Sequence, residues 1–418
     1  MGNPISKKDL STQQSVDGSR TLINSLSNTL SVCVFFVLLN KKYLFVHISI
    51  QTTNFFMLEM FRSSSKLLNT FTGHTKYVNS IDYSKFGNGQ FICSGSDDNT
   101  VRVWNIEKNK QIQSFNGHSS GVFCVKFSQY YYHNHHRNVI CSSSHDKTIR
   151  FWDFKDNQLL QLFNGHTAWV GSIEFSPFNS GRYLCSGSGD GTIRLWDVET
   201  SKILHIFNEH KSCVWCVDIS PLQSNNSKNE SSGIGLIGGN GYTVCSGLRD
   251  KTIWVWDIET TKQLIVFKGH KDSVWSVKYG SNELGINGCA NIILSGSDDR
   301  SVRLWDIRSG QQIQVFNGHT HIVWDVEYSP FVVNNTEAGS SSNVICSGSD
   351  DNTIRFWDIR SNKNQLYVIK GCYEDDGIRC LKFVSLKKKI KDNEQKSKDD
   401  CGVHLCYGSS RGPIRVWG

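Results

Sequence analysis

A serine, a histidine, an aspartate and a tryptophan recur together six times in this chain of 418 residues. The histidines are His74, His118, His166, His210, His270 and His319. The aspartates are Asp98, Asp146, Asp190, Asp250, Asp299 and Asp351, each six positions before a tryptophan: Trp104, Trp152, Trp196, Trp256, Trp305 and Trp357. Serine, histidine and aspartate are the parts of a hydrolytic triad, in which imidazole takes the serine proton and the carboxylate orients the imidazole. Six equal copies argue against that use. Catalysis needs one activated set, whereas a repeated structural unit needs the same hydrogen bonds in every copy. Buried polar groups persist when each has a partner, so these residues are read as structural and the chain as no enzyme.

Other candidate chemistry is sparse. The run YYYHNHHR at 130–137 holds three histidines, but no second ligand cluster at recognisable spacing accompanies it, so it reads as a polar insertion. Cys213 and Cys216 form a CxxC in an expected strand, where positions i and i+3 point to opposite faces. No GxxxxGK[ST], no HExxH and no kinase signature set occurs. No cofactor and no metal is expected. The start MGNPISKK fits the pattern for N-myristoylation at Gly2, the one route by which membrane contact is expected. The apolar run at 30–39 is too short to span a bilayer, which takes about 20 residues. A net charge of +7 is mild for this length and does not call for nucleic acid.

The elements that must position these residues are repeated too. SGSDDNTIRFWDIR at 347–360 has close copies beginning at Ser94, Ser142, Ser186, Ser246 and Ser295, and a degenerate one, YGSSRGPIRVWG, at 407–418. Gly–His pairs precede the phrases at 73–74, 117–118, 165–166, 269–270 and 318–319, with Glu209–His210 and Gly371–Cys372 as variants. Within a unit the apolar residues alternate with period two, as in half-buried strands. Four short strands emerge: one after the Gly–His, one ending in SGS, one ending in Trp–Asp and one leading to the next Gly–His. A single four-stranded sheet cannot bury both faces alone, but neighbouring units can cover one another.

With these motifs in view, residues 64–418 resemble a WD-repeat (β-transducin-like) β-propeller, whose G-H…W-D units span about 40–45 residues. The resemblance implies an all-β, seven-bladed propeller of four-stranded antiparallel blades. KLLNTF at 66–71 matches the outer strands KQIQSF, NQLLQLF and KQLIVF, so the N-terminal strand is expected to complete the last blade. Residues 1–63 are read as a poorly defined extension. The resemblance also implies that the indole N–H, the hydroxyl, the imidazole and the carboxylate link the strands of each blade. Blade seven cannot copy this, having Cys372 and Arg411 at the histidine and aspartate positions and Pro413 in its third strand. Cys93, Cys141, Cys185, Cys245, Cys346 and Cys406 share one repeat position and read as small core residues with reduced thiols. Insertions at 225–241, 332–342 and 387–400 fall between first and second strands and read as loops.

An intracellular location is expected, cytoplasmic with the nucleus open, and the partners are expected to be proteins or peptide segments, met by a monomeric propeller within a larger complex. Each innermost strand begins V-x-x-V or a variant, and the residue after the first position is Asn79, Phe123, Gly171, Trp215, Trp275, Trp324 or Arg379. In the family this position lines the channel mouth. Packing between blades is one reading; the other is an aromatic socket for an inserted arginine or lysine held by cation–π contact. The function read from the whole is a non-catalytic interaction scaffold. An alternative is a substrate receptor of a cullin–RING ubiquitin ligase, since Arg308 and Arg360 follow Trp–Asp–x as in an adaptor-binding WDxR box. A G-protein β-like subunit would want an N-terminal coiled coil, and residues 1–63 hold no sustained heptads.

Overall fold

The computed structural model describes residues 56–220, 242–280, 291–332, 344–360, 365–386 and 402–418. They form seven four-stranded antiparallel sheets arranged as blades. Blade one comprises Val78–Phe86, Gly89–Ser96, Val101–Asn105 and Lys110–Phe115. Blades two to six repeat this order from Val122, Val170, Val214, Val274 and Val323. Blade seven takes Ile378–Ser385, Val403–Ser409 and Ile414–Trp417 from the end of the chain, and Leu67–Phe71 from its other end. Leu67 lies opposite Trp417 and Phe71 opposite Ile414. Lys66 and Gly418 exchange both backbone hydrogen bonds at 3.2 Å. The ring is thus closed by the N-terminal strand, which removes an open sheet edge.

The apolar clusters straddle neighbouring blades. Val101, Val103 and Phe115 of blade one pack with Val122, Val125 and Trp152 of blade two. The middle glycine of SGS follows from this contact. A Cβ on Gly95 would stand 2.6 Å from Val122 and 2.9 Å from Val125, so the next blade leaves no room for a side chain. The six repeat-position cysteines are fully buried, and burial pushes their thiols up. Cys216 is buried, while the adjoining Cys213 is half-buried and without a disulfide.

Leu58–Ser64, within the stretch read as an extension, is a helix that groups with the propeller unit. Its Leu58 and Phe61 are buried among residues of blades six and seven, with Phe61 4.7 Å from the Phe331 ring. The histidine-rich insertion is largely helical. Gln129–His135 forms a helix capped by the Ser128 hydroxyl, and Tyr130 and Tyr131 are its buried anchors. Among the described residues no cluster of histidine, cysteine and acidic side chains is placed to hold a metal, and no helix is long and apolar enough to cross a membrane. Gly2, the run at 30–39 and nearly all of the three long insertions lie outside the described residues.

Candidate functional site

In blades one, two, three, five and six the repeated residues form one chain of hydrogen bonds. The tryptophan Nε1–H reaches the serine Oγ at 2.8–2.9 Å. That oxygen lies 2.7–2.8 Å from the histidine Nε2. The histidine Nδ1 lies 2.8–2.9 Å from the aspartate Oδ2. Indole can only donate, so the serine accepts from it and gives its own hydrogen to Nε2. Nδ1 then carries the ring hydrogen and donates to the carboxylate. The imidazole is neutral in this scheme, which matches its setting: burial lowers all five histidines despite the aspartate beside each. Burial alone would raise the aspartates. The bonds they accept outweigh it and hold them well below the usual carboxylate range. Each network serine is fully buried and already engaged by an indole, so its oxygen is closed to a substrate.

Blade four departs from its expected set. His210 Nδ1 and Trp256 Nε1 have no partner, and the bond from Ser246 to His210 Nε2 stretches to 3.4 Å. Among the described residues Asp250 keeps only Thr252, and it is exposed. Two substitutions account for this. In the intact blades a Cβ on the glycine before the histidine would stand 2.6–3.0 Å from the tryptophan Cη2; blade four has Glu209 there. Where the other five have an arginine, blade four has Trp254, whose ring lies 4.6 Å from His210 and 5.4 Å from Trp256. Restoring both, Glu209→Gly with Trp254→Arg, should stabilise the protein by about 1–3 kcal/mol through the recovered bonds. Each single change should give less than half of that in equilibrium denaturation, since either obstacle alone still displaces His210.

Blade seven replaces the missing network with another. Asp375, fully buried, accepts from Arg415 Nε at 2.8 Å, the Tyr407 hydroxyl at 2.7 Å and the Cys372 N–H at 2.8 Å. Tyr407 stands where the other blades have the network serine, and the Trp417 Nε1 is left without a partner.

The mouth residues are placed by a β-bulge. In every blade the register between the first and second strands slips after the opening residue: Val78 pairs Ser96 and Ser80 pairs Gly95, with Asn79 between. The same slip isolates Phe123, Gly171, Trp215, Trp275, Trp324 and Arg379. A bulge re-aims a side chain out of the ladder, and all seven residues line one axial cavity of about 130 Å³. Trp169, one residue ahead of its strand, fills the space over Gly171. Neither Trp169 nor Tyr77 was picked out from the sequence, although both hold the position just before the first valine. The rings form a continuous arc. Phe123 to Trp169 is 5.8 Å, Trp169 to Trp215 4.1 Å, Trp215 to Trp275 4.2 Å and Trp275 to Trp324 4.6 Å. Arg379 closes it, 3.8 Å from the Trp324 ring and 4.4 Å from Tyr77. The chain's own guanidinium thus stacks on the Trp324 end of the expected socket. The rings stay half-buried. Trp324 donates to Asp350 at 3.1 Å and Asn79 to Asp97 at 2.6 Å, but Trp215 Nε1 and Trp275 Nε1 have no acceptor.

Below the arc lies a belt of charges from successive blades: Asp82, Lys126, Glu174, Asp218, Lys278, Glu327 and Lys382. Lys126 and Lys278 both approach Glu174, and Lys382 lies 3.2 Å from Asp82. Two belt acids also accept a backbone N–H from the next blade, Asp82 from Phe127 and Asp218 from Tyr279, as does the nearby Asp325 from Leu381. Burial pushes Asp218 up to about 6 even with Lys278 beside it. This belt ties blades together around the axis.

Arg308 and Arg360 lie in the turns after the third strands of blades five and six, both exposed. With the Asn291 amide turned so that its oxygen faces the guanidinium, Arg308 Nε and Nη2 both donate to it at 2.9 Å.

A family profile described as WD domain, G-beta repeat matches residues 65–105, 109–153, 157–197, 201–257, 261–306 and 310–358. The chain belongs to the WD40 family. The profile takes in the closing strand, blades one to five and the first three strands of blade six; the three C-terminal strands of blade seven lie beyond its matches. Among curated proteins the chain is 36% identical to coatomer subunit beta'-1 of Arabidopsis thaliana over 58 residues, which is 14% of this chain and 6% of that protein. It is 49% identical to the human U5 small nuclear ribonucleoprotein 40 kDa protein over 43 residues, 10% of this chain and 12% of the relative. Over 59 residues it is 34% identical to the E3 ubiquitin-protein ligase COP1 of Pisum sativum, 14% of this chain and 8% of that protein. The chain thus spans only about one repeat's worth of each relative.

Proposed function

We propose that this WD40 protein is a non-catalytic scaffold that docks a segment of a protein partner across the channel mouth. The observation that carries the reading is the unbroken arc from Phe123 to Trp324, half-exposed around one opening. Rigid aromatic side chains of this kind supply most of the binding energy where proteins meet. The buried, indole-bound network serines support the non-catalytic part. The relatives' names, a coatomer subunit and a ribonucleoprotein component, are those of proteins in assemblies. Trp275→Ala or Trp324→Ala should weaken capture of the native partners by about 30-fold, or about 2 kcal/mol, with a modest loss of melting temperature. Undiminished capture, or a variant that unfolds, would return these rings to packing alone.

A second reading, a substrate receptor of a cullin–RING ligase, is favoured by one observation: Arg308 and Arg360 are exposed at equivalent turns of adjacent blades, as a shared docking patch requires. Adaptor and cullin should then co-purify with the protein and be lost from the Arg308→Ala, Arg360→Ala double variant. Their absence from the wild-type capture rejects it.

A further inference from the structure

Blade four carries an unused donor at the loop face. In the five intact blades one aspartate oxygen takes both the histidine Nδ1 and the backbone N–H of the residue after it. In blade four neither donor reaches Asp250. His210 is 7% exposed and its Nδ1 has no partner. It lines an open cleft of about 490 Å³ between residues 189–191 of blade three and 210–213 of blade four. Lys211 and Arg249 flank the cleft, both exposed and, among the described residues, without an acid in ion-pair range, and Ser212 adds a hydroxyl. One acid shares the lining, Asp190, but its oxygens already take His166 Nδ1, the Thr167 and Thr192 N–H groups and the Thr192 hydroxyl. Those bonds engage its lone pairs and leave it a fixed negative charge, which the two cations Lys211 and Arg249 outnumber.

We propose that this cleft binds the phosphate of a phosphoserine or phosphothreonine on a protein partner. A phosphoryl oxygen takes the place of the carboxylate that His210 lacks. Lys211 and Arg249 match the two negative charges of a phosphate monoester at neutral pH, and the arginine fork suits its paired oxygens. A carboxylate brings half that charge and one oxygen fewer. The neutral imidazole serves as a donor without a proton from solvent, as in the intact blades. The site stands apart from the channel-mouth reading, since no ring of the arc contributes a donor to it.

The test uses the full chain labelled with ¹⁵N-histidine, the His210 resonances being assigned by His210→Gln. Phosphothreonine blocked at both ends is titrated at constant ionic strength, with inorganic phosphate and blocked glutamate as companion probes. A saturable shift of His210 with blocked phosphothreonine is expected. It should be weakened at least tenfold in the Lys211→Ala, Arg249→Ala double variant and unchanged in Trp324→Ala, which removes only the mouth. No saturable shift, or an equal shift in the double variant, overturns the site. Equal binding of blocked glutamate overturns its preference for phosphate, and binding of inorganic phosphate with exclusion of phosphothreonine overturns the partner-borne source.

Discussion

Asp375→Ala lowers the stability of the propeller by about 3–5 kcal/mol, the cost of removing one partner from a buried ion pair. Asp375 is fully buried, and Arg415 is 6% exposed and binds it through Nε at 2.8 and 3.0 Å. Without the carboxylate, Arg415 keeps only Thr70 Oγ1 at 3.1 Å and the exposed Glu374 at 3.9 Å. Tyr407 and the Cys372 N–H lose their acceptor at the same time. The adjoining Asp376→Ala is the control. That carboxylate is exposed and paired with an equally exposed Arg411 at 3.2 Å, so its loss should cost under about 1 kcal/mol. Urea denaturation of the two variants separates them. Similar midpoints would mean that blade seven does not depend on its rebuilt network.

That network shows where the sequence stops being legible. Period-two strands, recurring Gly–His and Trp–Asp landmarks and the match of 66–71 to the outer strands were enough to give seven blades and their closure, because each rests on a pattern repeated in register. Asp375 belongs to no repeat position, so nothing in the spacing marks it; only the tyrosine standing in for a network serine at 407 hints that something must replace the usual bonds. Blade four failed in the opposite way. Its histidine, aspartate and tryptophan sit at the right spacing, yet Glu209 and Trp254 stop them from meeting. Both substitutions were visible, but their effect depends on a clearance of 2.6–3.0 Å around a tryptophan edge, which spacing does not encode. The mouth was found for a partial reason. Alternation along the strand picked out the right residues, whereas the structure places them by a bulge repeated in all seven blades. Trp169 was missed because it precedes the strand and covers a glycine. The helix at 58–64 is short, and its two buried residues find their partners on blades nearly 300 positions away, a contact no local periodicity reports.

Removing residues 1–72 opens the ring, whereas removing 1–55 leaves every described strand and helix in place. The difference is one closing strand and one short helix, each with separable energetics. Leu67–Phe71 supplies the outermost strand of blade seven, and its Phe71, 3% exposed, packs 5.5 Å from Trp104 in blade one. Losing it exposes a sheet edge in blade seven and uncovers the network tryptophan of blade one, so the 1–72 truncation should lose its cooperative melting transition and associate through the bare edge. The helix is tested without touching the strand. Phe61→Ala empties a fully buried site against Phe331 and Phe356 and should cost about 3–5 kcal/mol. Met60, on the same helix but 38% exposed, gives the contrast: Met60→Ala should stay within about 0.5 kcal/mol. Calorimetry on the 1–55 truncation as reference, with the 1–72 truncation and the two point variants beside it, orders the contributions. A cooperative transition retained by the 1–72 truncation at the reference temperature would refute closure by the N-terminal strand. A Phe61→Ala variant that melts with Met60→Ala would return the helix to the status of a dispensable extension.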